Sequence, residues 1–245
     1  MSVASLAMYP FPQLRAAYDR LWNDVRSRLT FEAPSLDWDL DPEVACRRRD
    51  LLIGQTCGWP LVNDLAATVQ VVGTFDCDVD GAIDGTYCSV LVSHTAGPLA
   101  EILHRPQLRV AANSPSSLSG WISLQSIAST HAVSLDTVEW TGSHAASIRA
   151  VDDRRADLAS IDAVSWAHLG GVGLSVVGHG PRVPCLPLVT SGSSATEVVA
   201  ELRGALSASI DDPAMTSVCA SLKIRGFLGR ELDDYEGISD LVQLG

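Results

Sequence analysis

Four serines within six residues, Ser114, Ser116, Ser117 and Ser119, stand directly ahead of Gly120 and a helical stripe carrying Trp121, Leu124 and Ile127. Unpaired N–H groups at a helix start and the positive end of the helix dipole attract anions. Serine hydroxyls at such a start donate to phosphate-like oxygens, and Gly120 lets a ligand approach the backbone closely. A single serine there would be an ordinary N-cap. The cluster is what points to an oxyanion.

A second polar junction, Thr141-Gly142-Ser143-His144, opens a helix with Ile148 and Val151. Ser143 is its natural cap. His144 falls in the first turn, facing either solvent or whatever lies above the strand ends, where open α/β sheets bind ligands. An exposed imidazole there would gain a second donor proton in mildly acidic buffer. Asp162 ends a short strand, Leu158–Ile161, on the same side, placed to hold a ligand cation or hydroxyl. Tyr87 opens another strand and is either plain core or a phenol that reaches a ligand.

Other chemistries are excluded. The six His and six Cys show no H-E-x-x-H, no C-x-x-C and no paired Cys/His spacing, so no metal site is expected. The only Lys is Lys223, which removes a phosphate loop of the G-x-x-x-x-G-K type. The dinucleotide fingerprint fails because Gly171-Val172-Gly173 is followed by Val176 where the last Gly belongs. No G-x-S-x-G elbow is present. The sequence thus shows no contiguous catalytic motif, leaves a dispersed Ser-His-Asp triad open and implies no cofactor.

Net charge is −12 over 245 residues, with 17 basic against 29 acidic side chains. Clustered positive charge, the requirement for nucleic acid or an anionic membrane surface, is missing. No apolar run of about 18 residues exists, so no spanning helix is expected. The N-terminal segment lacks the basic start and longer apolar core of a secretory peptide. As given, the chain is expected in the cytoplasm, or in the periplasm or at the cell surface if an upstream leader has been removed. Widely spaced cysteines fit free thiols; Cys77 and Cys88 are the pair placed to meet across a turn.

The elements that must hold these residues alternate. Strands are expected at 3–8, 50–54, 69–74, 87–93, 109–112, 137–141, 157–162, 174–178 and 188–190. The polar turn Gln55-Thr56-Cys57-Gly58 follows the second. Helices are expected from Pro12 through Leu29, at 143–151, from 163 to about 168, at 196–210 and at 213–224. The first carries Leu14, Ala17, Tyr18, Leu21, Trp22 and Val25 at helical spacing. Strand–helix alternation implies an α/β fold with parallel sheets. An acidic loop at 76–85 and a Pro-rich connection at 181–187 bracket a central block, so the expected domains are 1–84 plus 186–245 and an inserted 85–185.

Several segments resemble one family. S-P-S-S-L-S-G at 114–120 is similar to the anion loop D-P-x-S-T-S-G of phosphonate-binding proteins that serve ABC importers. The segments at 142–151, 156–162 and 85–92 resemble that family's G-H-x-x-x-x-x-A-V, V-D-x-A-x-x and Tyr-bearing strand, and Q-T-C-G-W-P at 55–60 suits its shorter members. The resemblance implies a type II periplasmic-binding-protein fold: two α/β lobes, a central ligand cleft and two crossover strands. It also implies that Ser117, the Leu118 N–H, Ser119 and His144 grip an oxyanion, with Ser114 and Ser143 in the same loops. Tyr87 and Asp162 would contact the rest of the ligand, and Tyr9, Gln55, Thr56 and Cys57 would face it from the first lobe. Leu118 departs from the family by replacing a hydroxyl residue. The implied partners are a small anionic ligand and an ABC permease, the chain acting as a monomer. The competing expectation is a cytoplasmic enzyme on the same scaffold, akin to the pyrimidine synthases of thiamine biosynthesis or the dehydratases of menaquinone biosynthesis, with His144 or Cys57 doing the chemistry.

Overall fold

The computed structural model describes residues 2–171 and 173–243, so Val172 of the failed dinucleotide fingerprint lies outside the described residues. The chain runs β1 (Val3–Ser5), α1 (Pro12–Ser27), α2 (Pro42–Cys46), β2 (Leu51–Gln55), α3 (Gly58–Pro60), β3 (Val69–Cys77) and β4 (Thr86–Ser93). It continues through α4 (Leu99–Leu103), β5 (Arg109–Ala112), α5 (Ser123–Thr130), β6 (Thr137–Trp140), α6 (His144–Asp152), β7 (Leu158–Ile161) and α7 (Ala163–Leu169). Then follow β8 (Ser175–Pro184), β9 (Pro187–Ser191), α8 (Thr196–Ile210), α9 (Thr216–Ser221), β10 (Ile224–Leu228) and α10 (Ile238–Gln243).

Two compact units result. The first holds everything up to Asp78, Ala82–Thr86 and Pro184–Glu236; the second holds Val79–Gly81, Tyr87–Val183 and the chain from Gly237 on. The chain passes between them within two strands, in β4 after Thr86 and in β8 after Val183, and also after Asp78, Gly81 and Glu236.

The first unit is a five-stranded sheet in the order β1-β2-β9-β3-β10. β1 and β2 are parallel, whereas β9 is antiparallel to β2 and β3, and β10 is antiparallel to β3. Helix α1 buries Leu14, Tyr18, Leu21, Trp22 and Val25, the stripe the sequence spells out. Trp22 also donates its indole N–H to the Pro34 carbonyl at 2.8 Å.

The second unit is a five-stranded sheet in the order β6-β5-β7-β4-β8. β5 is parallel to β6 and β7, and β4 is antiparallel to β7. Side chains alternate between the two faces of a strand, and the core follows that rule. Val90, Val92, Ala111, Ala159 and Ile161 pack on α6 through Ile148 and Val151. Leu91, Val110 and Leu158 pack on the other face with Leu124 of α5 and Ile102 of α4.

Four expectations are corrected. The sheets are mixed rather than parallel, because β3, β4, β9 and β10 pair antiparallel. Asp76 and Cys77 belong to β3 and not to an acidic loop: Asp76 pairs with Arg225 at 2.7 Å and accepts the Gly85 N–H at 2.9 Å. The Pro-rich run belongs to two strands: Pro181 and Pro184 lie in β8, which sits at the edge of its sheet, and Pro187 opens β9. The expected helix at 213–224 ends at Ser221, and Ile224 opens β10 instead. All six cysteines, Cys77 and Cys88 included, are free.

Candidate anion-binding site

Parallel pairing decides what meets at the carboxyl edge of the second sheet. β5 and β6 run in register from Arg109↔Thr137 to Ala112↔Trp140, and β5 pairs β7 through Ala111↔Ala159. The serine loop after β5, the Thr141-Gly142-Ser143 turn after β6 and Asp162 after β7 therefore line one edge. The two loops are tied together: Thr141 N–H donates to Ala112 O at 2.9 Å and Gly142 N–H to Asn113 O at 3.0 Å. Gly142 has φ +81°, a backbone state that suits glycine. The Thr141 and Ser147 hydroxyls lie 2.7 Å apart, fastening this turn to α6.

The serine loop ends in a π-helical turn, Leu118–Ile122, that leads straight into α5. Ser117 caps it, its Oγ accepting the Gly120 N–H at 3.1 Å. The N–H groups of Leu118 and Ser119 are the first of the turn and have no carbonyl of their own helix to reach. The Ser117 and Ser119 side chains are buried, and Ser114 and Ser116 hydroxyls share a 3.1 Å contact. Leu118 is buried as well, so at that position only its N–H is offered. A Cβ on Gly120 would collide with Asn113 Oδ1 and the Ser117 hydroxyl, so a larger residue there would have to displace both side chains.

Ser143 is the N-cap of α6, accepting from the Ala146 N–H at 3.2 Å. His144 follows as the first helical residue. Its Nε2 lies 3.1 Å from Ser119 Oγ, which joins the two loops through their side chains. Its Nδ1 is buried and has no hydrogen-bond partner. The exposed first-turn imidazole of the sequence reading is thus corrected to a half-buried one. Burial holds its pKa below the ordinary histidine value, and the Asp162 charge opposes that shift. The ring is therefore neutral at neutral pH.

Asp162 and Tyr87 occupy the same edge, both 2% exposed. Tyr87 Oη donates to Asp162 Oδ2 at 2.8 Å, and Oδ1 accepts the Ser165 N–H at 2.8 Å as the cap of α7. The sequence reading sent both groups to the ligand; the structure has them hold each other first.

The first unit presents a polar set at the carboxyl edge of its parallel pair. Tyr9 follows β1, and Gln55, Thr56 and Cys57 close β2. Gln55 is 3% exposed and its Oε1 has no partner. The Thr56 N–H donates to Pro187 O at 3.1 Å, and Cys57 caps the short α3. Tyr9 is buried beside Phe11, with ring centroids 6.3 Å apart.

Asn113 was missed by the sequence reading as a site residue, although it heads the serine loop. Its Oδ1 is buried without a partner. The Asn-Ser-Pro turn signal was the available cue. Among the described residues no group of His, Cys, Asp or Glu is arranged to hold a metal, and no helix is long and apolar enough to cross a membrane.

Residues 50–235 match the family model described as ABC transporter, phosphonate, periplasmic substrate-binding protein. Solved structures share the fold. PhnD1 from Prochlorococcus marinus, in complex with methylphosphonate, superposes with a TM-score of 0.77 at 16% identity, covering 99% of this chain and 97% of that one. A binding-protein component of an ABC phosphonate transporter from Pseudomonas aeruginosa gives 0.76 at 16% identity, covering 98% and 84%. XAC2383 from Xanthomonas citri, bound to ATP, gives 0.70 at 12% identity, covering 100% and 96%. No curated protein sequence matches. With a mixed α/β architecture in two units and a family match over most of its length, the chain belongs to the periplasmic substrate-binding proteins of phosphonate ABC transporters.

Proposed function

We propose that this chain is a solute-binding protein that captures a small phosphonate- or phosphate-like oxyanion for an ABC importer, on the serine loop and the start of α6. The observation that carries the reading is His144. A buried ring nitrogen without a partner is costly, and an incoming ligand oxygen would repay that cost. In the tautomer whose Nε2 accepts from the Ser119 hydroxyl, the neutral ring carries its proton on Nδ1 and presents a donor. The first N–H groups of the π-helical turn and of α6 add donors and the positive ends of two helix dipoles. No Lys or Arg is among the residues proposed here, so short directional donors are to supply the affinity against a net charge of −12.

The methylphosphonate held by the Prochlorococcus relative supports an alkylphosphonate as the first ligand to test. The family match favours binding over catalysis on the same scaffold. It also supports a periplasmic place of work and an ABC permease as partner.

A thermal-shift panel of methylphosphonate, phosphate, phosphite and sulfate tests the reading. The best ligand at a hundredfold excess over its Kd should stabilise the protein by about 2.7 kcal/mol. Silence from all four would remove the oxyanion from the account.

A further inference from the structure

Beneath the serine loop, on the α5 face of the second sheet, three buried hydroxyls form a continuous chain. Ser123 Oγ lies 2.6 Å from Ser89 Oγ, the Ser89 and Ser160 hydroxyls are 3.1 Å apart, and Ser160 Oγ reaches the Ser119 carbonyl at 2.5 Å. All three serines are at most 3% exposed. Ser89 and Ser160 occupy strand positions whose neighbours on the same face, Leu91 and Leu158, are core. Polar groups in such places are costly unless they are bonded.

Ser160 Oγ is the donor toward both the Ser119 carbonyl and the Ser89 hydroxyl, and its shorter contact is to the carbonyl. Between Ser89 and Ser123 either hydroxyl can donate. The chain ends on the residue whose side chain touches His144. Gly180 in β8 completes the arrangement, since a Cβ there would collide with both the Ser123 and the Ser89 oxygens.

We propose that Ser160, backed by Ser89 and Ser123, is a positioning residue that holds Ser119, and through it the His144 ring, in the geometry that binds the oxyanion. The proposal rests on the reading of this edge as an oxyanion site. Its substance is mechanical: the carbonyl of Ser119 is fixed from below, so the N–H and hydroxyl above it cannot turn away from the ligand.

Two readouts test it. The first is the imidazole 15N resonances of His144 in ligand-free protein; the second is methylphosphonate affinity by calorimetry. Ser160→Ala should move the resonances and weaken binding about three- to tenfold, the worth of one lost hydrogen bond. Ser89→Ala should act in the same direction by less. Ser209→Ala, at a buried serine of α8 whose hydroxyl has no partner, should do neither. If Ser160→Ala lowers the melting temperature yet leaves resonances and affinity at wild-type values, the serine is only structural and the proposal is overturned. Should that variant not fold, Ser89→Ala decides by the same two readouts. If the wild type itself ignores methylphosphonate, the functional reading fails, and the ligand-free resonances alone judge whether Ser160 controls His144.

Discussion

Tyr87 and Asp162 form a buried pair, the phenol donating to the carboxylate across 2.8 Å while the other carboxylate oxygen caps α7. One bond thus fastens the entry of β4 to the junction of β7 and α7, on the edge where His144 stands. The same carboxylate acts on the imidazole electrostatically, against the effect of burial.

Tyr87→Phe removes the phenol's hydrogen bond to the buried Asp162 carboxylate. A hydrogen bond to a charged group is worth about 1.5–3 kcal/mol, and urea denaturation should show a loss of that order. Unchanged stability would mean that water replaces the phenol without cost.

Gly120→Ala should fail more severely than a glycine-to-alanine change in an ordinary helix. The added methyl meets Asn113 Oδ1 and the Ser117 hydroxyl, and the loop must shift to admit it. Oxyanion binding should fall by at least tenfold even where the protein still melts cooperatively. Wild-type affinity in this variant would show that the loop has slack which the structure does not suggest.

Acid should destabilise the protein through His144. Burial places its folded-state pKa below the unfolded value of about 6.5. The unfolded chain therefore takes up the proton first. The contribution is fully present above about pH 6.5 and is lost as pH falls through the folded-state pKa. His144→Gln should flatten the melting-temperature profile between pH 7 and 5 relative to wild type. Parallel profiles would locate the acid sensitivity elsewhere. The same shift moves any gain of a second donor proton on the ring to more acidic buffer than the sequence alone suggests.

Much of the second unit was legible because period-two strands and polar strand-to-helix junctions are local signals. β5 falls at 109–112 as expected, and Ser143 caps the helix as its position implies. The first-unit helix from Pro12 was legible for the same reason: its stripe repeats over four turns. What escaped depends on distant partners. Strand β10 follows a helical segment and exists because β3 offers it an edge. Prolines 181 and 184 read as a break, yet β8 tolerates them as an edge strand. The contact of His144 with Ser119 spans 25 residues, and no spacing rule announces it. The Tyr87–Asp162 bond spans 75 residues, so the sequence could name both groups but not that they meet.

Calorimetric titration of methylphosphonate into wild type and His144→Ala at neutral pH tests the central claim most directly. Loss of one hydrogen bond to a charged ligand, about 1.5–3 kcal/mol, corresponds to roughly ten- to hundredfold weaker binding. The account predicts that loss in a variant that still folds. Equal affinities in the two proteins would contradict it and take His144 out of the site.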